Sequence, residues 1–119
     1  MNDEERMVFL QGWIDSHRND SITILKKPLI IEEFGKIVKG NIEYRDSFMS
    51  DVYSYIYEVA KNSDEGVAAG MVWQIMSEGM ESYSDGYEIV LSQNPSTTKI
   101  IRDHSTRMAA LEHPVATQN

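Results

Sequence analysis

Leu29-Ile30-Ile31-Glu32-Glu33-Phe34-Gly35 decides how this sequence folds. Three apolar residues, two of them β-branched, run unbroken between Pro28 and the paired glutamates. A parallel strand covered on both faces reads as continuous apolar sequence of this kind, whereas an amphipathic helix interrupts it with polar residues. Pro28 and Gly35 punctuate the ends, so the stretch predicts a buried strand carrying two carboxylates at its carboxyl end. Strand side chains alternate. Leu29, Ile31 and Glu33 are therefore expected on one face, and Ile30, Glu32 and Phe34 on the other. Parity does not choose between the glutamates, and composition alone reads both as solvated residues at a strand end.

On the amino side, residues 3–17 read as a helix. Met7, Leu10 and Ile14 recur at helical spacing, Phe9 and Trp13 form an i,i+4 pair, and Asn19-Asp20-Ser21 ends the pattern. On the carboxyl side, a polar stretch over 36–44 precedes a helix over 46–61. Its stripe is Phe48, Val52, Tyr55, Ile56, Val59 and Ala60, with Ser50, Asp51, Ser54 and Glu58 facing away. Residues 62–66 carry stop signals. Residues 67–76 predict a second buried strand, whose small residues suit a close approach of neighbouring chain and whose Trp73 shares a face with Met71 and Ile75. The acid- and tyrosine-rich stretch 77–93 reads as a mobile loop with a short extended piece over 87–91. Asn94-Pro95 gives an N-cap followed by proline at the first helical position. Ile100, Ile101, His104, Met108 and Leu111 carry that helix to about residue 112, before a frayed tail from Pro114.

The order α-β-α-β-loop-α implies an α/β fold with a parallel sheet and crossover connections. Two strands alone leave both edges unpaired and the inner face uncovered, and a closed eight-stranded barrel takes roughly 250 residues. The chain has 119 residues, so either its helices cover this small sheet in an unusual way or it is a fragment of a larger fold, and the fragment, an incomplete barrel, is expected; self-association through the open sheet edges is another way to satisfy them.

Composition narrows the function classes. A net charge of −8, with Lys26-Lys27 the longest basic run, argues against nucleic acid as a partner. No apolar stretch approaches the roughly 18 residues of a membrane span, and the acidic start Met1-Asn2-Asp3-Glu4-Glu5 is unlike a signal peptide. Without cysteine there is neither a disulfide framework nor a thiolate metal site. His17, His104 and His113 lack ligand spacing, so no metal or cofactor is expected. The seven methionines read as core filler.

Two features carry chemistry. A tryptophan in an apolar run is usually core, but Trp73 at a strand end also suits a sugar ring, which presents apolar C–H groups. Glu78, Glu81 and Asp85 lie in the loop after it and read as solvated rim residues. A solvated carboxyl lacks the raised pKa that a general acid requires.

Lys27-Pro28-Leu29-Ile30-Ile31-Glu32-Glu33-Phe34-Gly35-Lys36 resembles the seventh strand of plant endo-β-1,4-mannanases of glycoside hydrolase family 5, and Arg45-Asp46-Ser47-Phe48 resembles the start of their next helix. Val72-Trp73-Gln74-Ile75-Met76, Glu78-Gly79-Met80 and the run from Asp85-Gly86-Tyr87 to Asn94-Pro95-Ser96 are similar to their eighth strand and its loop. The shortened stretch 36–44 and Ala68-Ala69-Gly70 depart from the family pattern. The resemblance implies that residues 1–119 are the C-terminal part of a (β/α)8 barrel, its last two strands with flanking helices. It further implies a retaining enzyme that cuts internal β-1,4 links in mannan, galactomannan and glucomannan, and an extracellular, cell-wall setting. Glu33, immediately before Phe-Gly, takes the nucleophile's place, and Trp73 that of the stacking tryptophan. Tyr83 and Tyr87 are further candidate sugar contacts. The family's acid/base glutamate follows an asparagine on an earlier strand, and this sequence has no Asn-Glu pair. The chain alone is therefore expected to hydrolyse nothing. A non-catalytic carbohydrate-binding or interaction module using Trp73 and residues 77–93 is the alternative.

Overall fold

The computed structural model describes residues 2–62 and 66–111. The order is α1 (Asp3–Asp20), a π-helical turn (Ser21–Leu25), β1 (Leu29–Phe34), α2 (Ile42–Lys61), β2 (Val67–Val72), a short 3-10 turn (Glu81–Tyr83) and α3 (Pro95–Ala109). β1 and β2 pair in parallel, with α2 as the crossover. This is the α/β alternation that the sequence predicts, in the form of a two-stranded sheet with three helices rather than a closed barrel. Much of the expected stop at 62–66, the end of the last helix at residue 112, His113 and the tail from Pro114 lie outside the described residues.

Local chemistry explains where the boundaries differ from expectation. Asn2 opens α1 with a reciprocal cap: its side chain accepts from the Glu5 amide, and the Glu5 carboxylate accepts from the Asn2 amide, both at 2.8 Å. Asn19-Asp20 does not stop the helix. The chain continues into the π turn and breaks at Lys26, whose φ of 56° is left-handed. α2 begins at Ile42, earlier than its apolar stripe suggests, because the Asn41 side chain accepts from the Glu43 amide at 2.9 Å. Pro95 is the first residue of α3 as expected, but the Asn94 side chain caps nothing in the helix. It accepts from the Val90 amide at 3.0 Å and ties down the incoming chain instead.

The core lies between the sheet and α2. Ile14, Ile31, Phe34, Met49, Val52, Tyr53, Ile56, Val67 and Ile89 are buried together. Ser50, Asp51, Ser54 and Glu58 face solvent, as the helical stripe requires. Gly70 matters here: a Cβ on it would meet Ile56 Cδ1 at 2.6 Å, so its absence lets α2 close on the sheet. Phe34 meets Tyr53 edge-on at 5.2 Å, and Tyr53 stacks on His104 at 4.0 Å, joining β1, α2 and α3. The opposite side of the sheet is uncovered, with Ile30 48%, Met71 46% and Ile75 52% exposed. Among the described residues, no helix is long and apolar enough to cross a membrane.

His104 is buried on Tyr53, and its Nδ1 finds no hydrogen-bond partner among the described residues. Burial, with the Arg107 charge adding, pushes its pKa down to about 4. The unfolded chain therefore takes up this proton first. The stabilising contribution is intact above an unfolded pKa of about 6.5 and drains away as pH falls towards 4, at up to about 1.4 kcal/mol per pH unit. Urea midpoints measured from pH 7 to pH 4 should fall over this window and fall less steeply in His104→Phe.

Candidate active site

Because the strands are parallel, their carboxyl ends lie together, and this places Glu33 near Trp73. Phe34 is level with Val72, and the Trp73 amide donates to the Phe34 carbonyl at 2.9 Å. The chain leaving β1 then passes directly over the second strand's end. A Cβ on Gly35 would lie 2.2 Å from the Trp73 carbonyl oxygen and 3.3 Å from Tyr87 Cδ1, so only glycine permits this crossing.

Between Ile31 and Phe34 the register slips, and Glu33 takes a φ of 56°. This breaks the expected alternation. Ile31 and Phe34 are both buried, whereas Glu32 and Glu33 are both exposed, so Phe34 does not share a face with Glu32 as parity predicts. The slip inserts one residue into β1, which is what a β-bulge does, and bulges re-aim side chains next to sites. A left-handed conformation costs a non-glycine residue on the order of 1–2 kcal/mol. Among the described residues, neither glutamate's side chain takes part in a hydrogen bond or ion pair. Glu33 is thus a carboxylate held in a costly conformation and left open to whatever approaches.

Beyond β2, Trp73 is 41% exposed, and its peptide bond to Gln74 is cis. Its indole Nε1–H donates to Asp85 Oδ2 at 3.3 Å, and Gln74 Nε2 donates to the same oxygen at 3.1 Å. The other oxygen, Oδ1, accepts from the Tyr87 amide at 2.9 Å. The Tyr87 amide chiefly, with the indole and Gln74 amide adding, holds the Asp85 carboxyl below the usual aspartate range. Ser84 Oγ and the Gly86 amide hold Glu88 in the same way, at 2.6 and 2.8 Å, with Ser84 the main cause of its lowered pKa.

The stretch 77–93, expected as a mobile loop, is therefore tied down. The Ile89 amide donates to the Gln74 carbonyl at 2.8 Å and the Met76 amide to the Ile89 carbonyl at 3.0 Å, a parallel bridge within the expected extended piece. Glu78 accepts from Ser92, and Glu81 from the Gly79 amide. Tyr83 stands 72% exposed on its 3-10 turn. Tyr87 is half-buried and, with Lys36 and Tyr44, lines a cleft of about 410 Å³ behind Gly35. In its lining Lys36 pairs with Asp3 at 3.0 Å.

Arg45 braces this region from behind. Its buried guanidinium donates to the Glu88 carbonyl at 2.8 Å and to Thr97 Oγ1 at 3.3 Å, and Thr97 in turn donates to Asp46. Desolvation lowers the Arg45 pKa, opposed by the Asp46 and Glu88 charges. In the sequence Arg45 stands out only as part of the Arg45-Asp46-Ser47-Phe48 motif, and Asp85 only as a solvated rim residue. The Asp85-Gly86 turn, twelve residues past Trp73, was the available signal. The histidines stay apart: His17 contacts the Trp13 carbonyl and ring, and His104 is in the core. Among the described residues no group of three or more His, Asp or Glu is arranged to hold a metal ion.

Two parallel strands whose carboxyl ends carry Glu33 and Trp73, with helices behind, form an α/β unit, and in α/β folds sites lie at the strand ends. No family model matches the chain. Individual relatives do. Mannan endo-1,4-β-mannosidase 1 of Solanum lycopersicum is 49% identical over 110 residues, which is 92% of this chain and 27% of that protein. Mannan endo-1,4-β-mannosidase 3 of the same plant is 46% identical over 94% of this chain and 28% of its own length. Mannan endo-1,4-β-mannosidase 1 of Oryza sativa subsp. japonica is 39% identical over 97% of this chain and 27% of its own. The chain belongs to this family of plant mannosidases, and it spans little more than a quarter of the length of the relatives it matches.

Gly35→Ala should lower stability by about 1–3 kcal/mol and shift Trp73 emission, because the new methyl collides with backbone. Gly12→Ala, on the exposed side of α1 with nothing within 4 Å of the added carbon, should instead stabilise by up to about 1 kcal/mol. Urea unfolding followed by circular dichroism and fluorescence compares the two.

Proposed function

We propose that this chain carries the nucleophile and a sugar platform of a retaining endo-β-1,4-mannanase site, with Glu33 and Trp73 in those roles. The observation that carries the reading is their meeting at one sheet end, with Glu33 open and Trp73 anchored. In a retaining reaction a Glu33 oxygen bonds to the anomeric carbon as the bond to the leaving oxygen breaks. A second carboxyl, about 5–5.5 Å from the first, protonates that oxygen, then activates the water that releases the sugar. Glu78, Glu81 and Asp85 fit that second role poorly. Each already accepts a hydrogen bond, and Asp85 is held on the ionised side. The acid is therefore assigned to a part of the enzyme outside this chain, and the chain alone is read as binding without cleaving. On this reading the sheet and helices form the last two units of a (β/α)8 barrel, and Tyr83 and Tyr87 flank the sugar. The substrate class is mannan, galactomannan or glucomannan in the cell wall, a setting that rests on the resemblance alone.

The non-catalytic reading keeps one observation in its favour, the firm anchoring of Trp73 within residues 74–89. A chimera separates the two. The chain replaces the matched region of the tomato mannosidase 1, behind that protein's own preceding residues. It should release reducing sugar from galactomannan, and Glu33→Gln should reduce the rate on the order of 10³-fold or more. A folded chimera that Glu33→Gln leaves unchanged would remove the nucleophile assignment. The unfused chain should stay at background in the same assay.

A further inference from the structure

The Asp85 carboxylate sits at the edge of the Trp73 indole, and its hydrogen bonds are divided between its two oxygens. Oδ1 is fixed by the Tyr87 amide within the 85–87 turn, while Oδ2 collects the Trp73 Nε1–H and the Gln74 side-chain amide. The turn is itself secured. Gly86 supplies a φ of 91°, its amide is bound by Glu88, and the Glu88 carbonyl is held by buried Arg45. The carboxylate is thus tied through two links to the core, although it lies at the surface.

We propose that Asp85 is the positioning residue of the sugar platform: it locks the Trp73 indole in one orientation and polarises it for a carbohydrate ring. The inference rests on the reading of Trp73 as a sugar contact. Two physical effects support it. A half-exposed tryptophan has rotamers to lose on binding, and a partner already holding Nε1 removes much of that cost in advance. An anionic acceptor on the N–H also draws the indole proton towards it and leaves the ring face more electron-rich, and sugar C–H groups meet that negative face. Asp85 touches no reacting atom in this scheme and acts only through Trp73.

The test uses the full chain carrying Trp13→Phe, so that Trp73 supplies the sole indole signal. Asp85→Asn is the informative variant. Its oxygen can still accept from the Tyr87 amide, while its NH₂ would face the indole N–H and break that bond. Asp85→Ala removes both and serves as the severe case. In ¹H–¹⁵N spectra the Trp73 Nε1–H resonance should lie downfield in the parent and titrate with a carboxyl below the ordinary aspartate value of about 3.9. It should move upfield and lose that titration in Asp85→Asn. Mannohexaose titrated against Trp73 fluorescence should bind about tenfold more weakly to Asp85→Asn, the scale of one charge-assisted hydrogen bond. Gln74→Ala should leave the indole titration in place. An unchanged indole resonance in Asp85→Asn, or unchanged mannohexaose affinity despite its loss, would overturn the inference while sugar binding stands. A parent chain that shows the indole titration yet binds no mannohexaose would instead overturn the reading of Trp73 as a sugar contact.

Discussion

The site depends on one close backbone crossing, where Gly35 lets the chain leaving β1 pass against the Trp73 carbonyl. Side chains can adapt to a neighbour, but a carbonyl oxygen 2.2 Å from a would-be Cβ cannot. The crossing fixes the distance between the carboxyl ends of the two strands. Phe34 contributes on both sides of the joint. Its carbonyl accepts from the Trp73 amide, and its ring is the first member of the aromatic series that runs through Tyr53 to His104. The strand ends that carry the two candidate site residues are therefore held by the same contacts that close the core.

The carboxylates around this joint divide according to what their surroundings offer. Asp85 and Glu88 are each satisfied by backbone amides and short side-chain donors, and both stay ionised while serving as structural anchors. Glu33, only a few residues from the same backbone, receives no such side-chain partner among the described residues. A carboxylate that the fold does not satisfy is available to a ligand, whereas one saturated by amides is spent on holding the loop. Sequence composition makes these residues look alike; hydrogen-bond geometry separates them.

The regular elements were legible because apolar periodicity records burial directly. The run Leu29-Ile30-Ile31 gives β1, and the stripe through Val52 and Ile56 gives α2. What escaped was set by contacts between residues distant in sequence, or by backbone conformation that residue type does not advertise. Glutamate rarely adopts positive φ, so nothing at Glu33 announces the slip that turns Phe34 into the core. Asn94 looks like a helix cap, yet the Val90 amide reaches it first. The stretch 77–93 is rich in polar residues and reads as loose, but those polar atoms are its fastenings. Of the candidate site, the strand-end placement of Glu33 and Trp73 followed from strand order. The roles proposed for them rest on family resemblance, and the Asp85 bond to the indole required coordinates.

The left-handed backbone at Glu33 bears on how this protein can be improved or eroded. Glycine, and to a lesser degree asparagine, would occupy that conformation at lower cost, so the fold itself prefers a residue without the proposed chemistry there. A library at this position screened for thermal resistance alone would enrich such replacements, and the gain in robustness would come from dismantling the site. On the proposed nucleophile assignment, stability and activity are set against each other at a single φ angle, which makes position 33 a poor choice for consensus or melting-temperature engineering and a sharp place to measure the trade between them.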